Sequence, residues 1–358
     1  ITQTGITPGT VTDPMSGGVI NPISTYPYPD FKPERTKSYE VGINARFLNG
    51  RISFDGTFYQ SNTYNQTFLS VMSPATGYSG FYVQAGNVRN RGVEMTLGYN
   101  DTFGKVNYST HLTYTANQNK IVEMVHDYRN PIDNSLVNIT ELTLKEVGDV
   151  YLREGYSMSD VFTTGILQRG RDGKLVEEGN GYQVDRSQRI RLGSADPDFT
   201  MGWRHDINYK NISLGLMITG RFGGIVTSQT QAFMDAFGVS KVSAEARDNG
   251  GVMLDGHRYD AERYYNTVGG QGLMSYYTYD ATNVRLQELS LTYSLPKKWL
   301  GDVFNNATIS FVGRNLFMFY RKAPFDPDMN GSTGTYNRSD FFMAPSLRNL
   351  GFSIKFSL

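Results

Sequence analysis

Hydrophobic and polar residues alternate with period two over segments of roughly ten residues, the signature of half-exposed strands. Tyr39, Val41, Ile43, Ala45 and Phe47 alternate with Ser38, Glu40, Gly42, Asn44 and Arg46. Asn49-Gly50 follows, a hairpin signal because both residues tolerate positive φ. The pattern resumes with Ile52, Phe54 and Phe58, then Val93 to Tyr99, then Val106, Tyr108, Leu112 and Tyr114. It returns at Phe199 to Tyr209, Ile212 to Ile218, Leu289 to Leu295, Ile309 with Phe311, and Leu350 to Leu358. The spacing predicts about nine main strands.

A soluble β-sandwich also alternates in this way, and a secreted sandwich adhesin is one alternative. Three features favour a transmembrane antiparallel β-barrel. Aromatics sit near segment ends on the apolar face, as at Tyr99, Tyr209 and Tyr293. The other face carries Ser, Thr, Asn and charges, including Asp55, Glu94 and Arg204, as a wet lumen does. Connections alternate between short turns (49–50, 101–104, 210–211, 296–306) and long segments (62–85, 120–197, 222–280, 320–346). Compact soluble domains rarely carry several long loops, whereas outer-membrane barrels have short periplasmic turns and long outer loops. By that asymmetry residues 1–35 form an extracellular loop and 36–358 a barrel segment. Within the long connections, 151–192 reads as an extended hairpin turning at Arg171-Asp172-Gly173, and 229–238 as a short helix. An odd strand number cannot close a bacterial barrel whose termini meet, and an open edge in lipid leaves backbone groups unsatisfied. The expectation is therefore the C-terminal part of a larger barrel, with plug and leader lying outside this sequence.

Composition narrows the chemistry. The 358 residues include 34 Lys+Arg against 34 Asp+Glu, which removes the basic field of a nucleic-acid binder. The absence of Cys removes disulfides, thiolate metal sites and cysteine nucleophiles. No run reaches the ~18 apolar residues of a membrane helix.

Seven segments resemble, in order, the SusC/RagA-like TonB-dependent transporters of the Bacteroidetes outer membrane: KPERTKSYEVGI (32–43), GNVRNRGVE (86–94), GSADPDFTMGW (193–203), NVRLQELSLTYSLPKKWL (283–300), GRNLFMF (313–319), APFDPDM (323–329) and PSLRNLGFSIKFSL (345–358). The resemblance implies a 22-stranded barrel with an N-terminal plug, energised by TonB and capped by a SusD-like surface lipoprotein. It further implies glycan or oligopeptide cargo, an outer-membrane lipid environment and pairing of transporter–lipoprotein units into a dimer. No cofactor and no metal follow from it.

Asn349, Gly351, Ile354 and Phe356 in the last strand read as a barrel-assembly signal working through strand addition, although any lipid-facing strand reads similarly. Tyr259, Tyr264, Tyr265, Tyr276, Tyr277 and Tyr279 form an aromatic cluster suited to gripping sugar rings or peptide side chains. The same residues would equally pack a loop on itself. Asp326-Pro327-Asp328-Met329-Asn330-Gly331 imitates the start of a calcium loop, but position 12 is Asn337 instead of Glu. Of the four His, His111 beside Ser109 and Thr113 offers a barrel-borne hydrolase pair, without a nucleophile elbow. A polar lumen lining is the plainer reading, so no catalytic residue is assigned. His205 falls on the apolar face, which calls for a bulge or an interfacial position.

Overall fold

The computed structural model describes residues 11–12, 19–20, 25–26, 31–71, 80–129, 135–144, 150–300, 304–328 and 339–357. Its largest element is a nine-stranded antiparallel sheet. In chain order the strands are β1 (Arg35–Phe47), β2 (Ile52–Tyr64), β3 (Asn87–Phe103), β4 (Val106–Glu123), β5 (Phe199–Tyr209), β6 (Ile212–Phe222), β7 (Asn283–Ser294), β8 (Asn306–Arg321) and β9 (Asn349–Ser357). Each pairs with its sequence neighbours, so the sheet is an uninterrupted meander with β1 and β9 at its edges.

The register sorts side chains by face. One cross-strand row runs Tyr108, Ile207, Leu214, Leu291, Phe311, Phe352. One residue further along, the row reads Asn107, Asn208, Ser213, Thr292, Ser310, Ser353. A one-residue slip would exchange the two faces entirely, so the pattern pins the register. The apolar face stays bare: Tyr39 is 69%, Trp203 46% and Phe352 67% exposed. Among the described residues neither a second sheet nor a helix buries that row, as the facing sheet of a sandwich would. No described helix is long and apolar enough to cross a membrane.

The short turns follow the local chemistry. Lys210 takes φ 51° and Gly104 φ 63° in two-residue connections. The first hairpin departs from the expected two-residue loop: Leu48, Asn49 and Gly50 all have positive φ, and the turn spans residues 48–51. Ladder shifts occur between Met217 and Ile218 against β7, and twice between β7 and β8.

The chain divides into two compact units. One comprises residues 1–40, 59–91 and 118–161. It contains a small sheet of Thr25–Tyr26, Gln66–Val71 and Gly80–Ala85. Phe68, Val83, Val88, Ile121, Met124, Leu142, Leu144, Tyr151 and Leu152 are buried in this unit. The Gln84 side chain pins its strand to the backbone of Lys32, accepting at 2.9 Å and donating at 2.7 Å.

The other unit comprises 41–58, 92–117 and 162–358, and every strand of the sheet contributes to it. The expected 151–192 hairpin is present only from residue 160: Asp160–Leu167 pairs with Val184–Ser194, with a tight turn where Gly170 N–H donates to Lys174 O, whereas Tyr151–Arg153 pairs with Glu141–Thr143. The expected helix is α1 (Gln229–Ala236), capped by Ser228. Two further helices, α2 (Lys241–Asp248) and α3 (Ala261–Val268), were not anticipated. Most of the expected N-terminal loop lies outside the described residues.

Candidate functional site

Three features of the second unit carry chemistry: the polar sheet face, the tyrosine-rich loop and an ionic cluster at the ends of β6 to β8.

On the polar face Arg204 donates to Asp206 at 2.8 Å, Arg314 to Glu288 at 3.0 Å and Asn44 to Asp55 at 2.8 Å. Small residues keep this face close-packed. A Cβ on Gly98 would lie 2.4 Å from Ser53 Oγ, and one on Gly215 would lie 2.5 Å from Ser290 Oγ. Ser109 and His111 share the face but lie two residues apart along β4, roughly 7 Å by strand geometry. No hydrogen bond joins them among the described residues. A nucleophile–base pair needs contact at about 3 Å.

The loop between β6 and β7 folds around its own aromatics. Leu167, Leu175, Tyr182, Ala232, Tyr259, Ala261, Tyr264, Tyr265, Val268, Leu273 and Tyr277 form one buried cluster. α3 explains how: its buried residues 261, 264, 265 and 268 follow the helical spacing, and Asp260 caps it by accepting from Arg263 N–H at 2.9 Å. Of the six tyrosines singled out above, Tyr259, Tyr264, Tyr265 and Tyr277 are buried and Tyr276 and Tyr279 half-buried. The Tyr259 hydroxyl accepts from Leu175 N–H at 3.1 Å, and that of Tyr276 from Leu167 N–H at 3.2 Å. Burial, with the Asp235 carboxylate second, pushes the Tyr279 phenol up to about 12. Burial also moves Tyr264 and Tyr277 well above the usual tyrosine range, so all three phenols stay protonated.

The ionic cluster centres on Arg285, whose side chain is 7% exposed. Its guanidinium donates to Asp326 at 2.8 Å, Asp328 at 2.6 Å and Asn283 Oδ1 at 3.2 Å. Arg221 lies 3.6 Å from Asp328 and donates to Ala195 O at 2.6 Å. Asp326 also accepts from Ser346. Burial alone would raise the Asp326 carboxyl, but hydrogen bonds from Ser346, Arg285 and the Asp328 N–H hold it below its ordinary value. The two aspartates read above as the start of a calcium loop are therefore engaged by guanidinium groups. No metal-ligating cluster occurs among the described residues. Met329, Asn330, Gly331 and Asn337 lie outside them. Arg285 was missed as a site residue because its carboxylate partners lie 41 and 43 positions away.

His205 needs no bulge. β5 is in unbroken register with β4 and β6, opposite Thr110 and Leu216. The Tyr108 hydroxyl lies 2.8 Å from its Nδ1, and the Trp203 ring centre 4.4 Å from its own. The assembly-signal residues Asn349, Gly351, Ile354 and Phe356 lie on β9, at the sheet edge.

Taken together, a bare apolar face, a polar face one residue away and long folded loops on short-turned strands define the wall of an outer-membrane β-barrel. The family described as "TonB dependent receptor-like, beta-barrel" matches residues 3–219, and the chain belongs to it. Two curated relatives come from Formosa agariphila. TonB-dependent receptor P3 is 25% identical over 97% of this chain and 36% of its own length. TonB-dependent receptor P26 is 25% identical over 84% of this chain and 32% of its own. The chain thus spans about a third of these relatives. Among solved structures, that of the RagAB peptide transporter superposes with a TM-score of 0.68 at 16% identity, covering 97% of this chain and 38% of that one. The RagAB peptide importer in its open-open state gives 0.66 at 18% identity, covering 99% and 38%. These likenesses establish the fold. The family is one of outer-membrane TonB-dependent transporters, which are not enzymes.

Proposed function

We propose that this chain supplies part of the wall and outer loops of a SusC-like importer that passes nutrient oligomers, glycans or oligopeptides, across the outer membrane of a Bacteroidetes-like bacterium. The observation that carries it is the pairing of an apolar row, half-buried at Tyr108, Ile207 and Leu214 and exposed at Leu291, Phe311 and Phe352, with a polar row one residue away across β4 to β9. Acyl chains require the first face and a hydrated passage the second. Plug and TonB contact would come from the remainder of the whole protein, within a barrel of 22 strands.

In this reading the buried tyrosines hold the loop in shape. Tyr276 and Tyr279, only half-buried, keep aromatic surface available to cargo. A SusD-like surface lipoprotein would cover the bare apolar patch of Phe233, Phe237, Val239, Val242, Phe341 and Phe342, and such pairs would associate as dimers. β9, free along one edge, would serve as the assembly signal.

The test is uptake. Cells expressing the intact protein with its neighbouring lipoprotein should accumulate one class of labelled oligomer, glycan or peptide. Loss of uptake on deleting TonB supports the proposal, and TonB-independent accumulation overturns it. Phe237→Asp with Phe342→Asp should release the lipoprotein on purification while leaving barrel yield unchanged; undiminished co-purification would remove the patch from the interface.

A further inference from the structure

A lipid-facing strand position normally carries an aliphatic or aromatic residue, because a polar group there meets hydrocarbon at a cost of several kcal/mol. His205 breaks that rule in intact register. It does so within a polar-aromatic set spanning β4 and β5: Tyr108, Thr110, Trp203 and His205. Their mutual bonds lower the cost. Trp203 Nε1 donates to Thr110 Oγ1 at 3.0 Å, Thr110 Oγ1 donates to the Arg204 carbonyl at 2.9 Å, and Tyr108 meets His205 Nδ1 at 2.8 Å. With the Tyr108 hydroxyl donating, the neutral imidazole carries its proton on Nε2. That nitrogen has no hydrogen-bond partner among the described residues. An Nε2–H on the membrane side needs an acceptor that lipid alone can bring.

The neighbouring charges say which lipid. The β4–β5 ladder ends at the pair Val106 and Tyr209, and beyond it stand Lys105 and Lys210, both exposed and one on each short turn. Neither forms an ion pair among the described residues. Lys210 lies 5.3 Å from the centre of the Tyr209 ring. The nearby carboxylate of Asp101, close to the end of β3, is held by Arg51 at 3.3 Å. His205 stands four residues from Tyr209, about 13 Å along a strand and about 10 Å in depth once the tilt of a barrel strand is allowed for. Phosphate-seeking ammonium groups at the rim, with a carbonyl-seeking imidazole deeper in the wall, follow the vertical order of phosphate and ester in a glycerophospholipid.

We infer that Lys105, Lys210, His205 and Tyr108 form a binding site for an anionic glycerophospholipid of the periplasmic leaflet, the lysines taking the phosphate and the His205 Nε2–H an acyl-ester carbonyl. This rests on the membrane-wall reading above, with the short turns on the periplasmic side. Lipid held here would be retained when the annular lipid exchanges.

The test uses the intact transporter purified in mild detergent and placed in nanodiscs of mixed phosphatidylglycerol and phosphatidylcholine. Native mass spectrometry counts the lipids each variant retains, and resistance of the unheated barrel to dodecyl sulfate checks folding. Lys105→Gln with Lys210→Gln should lower phosphatidylglycerol retention by about tenfold relative to phosphatidylcholine, since each cation near the surface contributes appreciably. His205→Leu should lower retention of both lipids severalfold, whereas Phe352→Leu, far across the sheet, should change neither. Should His205→Leu fail to fold, His205→Gln with the same readout takes its place. Folded variants that retain phosphatidylglycerol as the parent does overturn the site. A parent protein that stays in solution without detergent would instead overturn the wall reading on which the site rests.

Discussion

Arg285 shows how much one side chain can determine here. It is buried, and its fork satisfies two carboxylates from the segment after β8 while bonding Asn283 beside it. Breaking such a pair by removing one partner leaves charge uncompensated and costs about 3–5 kcal/mol. Arg285→Ala is therefore expected to free the 322–328 segment, seen as rapid limited proteolysis there with the remainder of the barrel intact. Equal protease resistance would show that the cluster does not fasten the segment. The pH dependence follows from Asp326. Its folded value is depressed, so its contribution is fully present above the ordinary carboxylate value of ~3.9 and is lost as pH falls through the lower, folded value. Protection of the 322–328 backbone against hydrogen exchange, taken relative to the intrinsic rate at each pH, should thus be high at neutral pH and fall on strong acidification. Asp326→Asn should abolish that acid-dependent step.

At the scale of elements, α3 decides whether the tyrosine-rich loop keeps its shape. Tyr264 lies in the core against Tyr265 and Tyr276, with ring centres at 5.2 Å and 6.5 Å. Truncating a buried aromatic costs about 3–5 kcal/mol, so Tyr264→Ala should unfold the loop locally, raising hydrogen exchange across 229–277. Tyr276→Phe removes one hydrogen bond to Leu167 N–H and should cost only about 0.5–1.5 kcal/mol. If both variants exchange alike, the helix is not the organiser of this loop. The strands and the hairpin from residue 160 were legible in the sequence because a period-two pattern or a Gly-containing turn states its own geometry locally. α1 was legible from its compact run ending near Gly238. α2 and α3 were not: KVSAEARD is polar with little apolar periodicity, and Tyr264 and Tyr265 fit a ligand-gripping cluster as well as a core. Composition cannot separate those readings, since a tyrosine carries both a large apolar face and a polar tip. The Arg285 cluster was illegible for another reason: its members lie on β7 and in the segment after β8, and only the meander brings them together.

For the whole molecule, each short turn forces an antiparallel neighbour, and the long segments return the chain one strand further along. The meaning of the two faces is the physical claim underneath the functional reading. The sequence contains no Cys, so single cysteines placed along β9 of the intact protein report on each position separately. The decisive measurement is the labelling rate of Phe352→Cys, Ser353→Cys, Ile354→Cys and Lys355→Cys by a charged, membrane-impermeant thiol reagent, alongside quenching of an attached fluorophore by brominated lipid. The expected result is strict alternation: positions 352 and 354 protected from the aqueous reagent and quenched by lipid, positions 353 and 355 reactive and unquenched. Uniform reactivity, or alternation of the opposite sense, would contradict a wall with acyl chains on one side and a hydrated passage on the other.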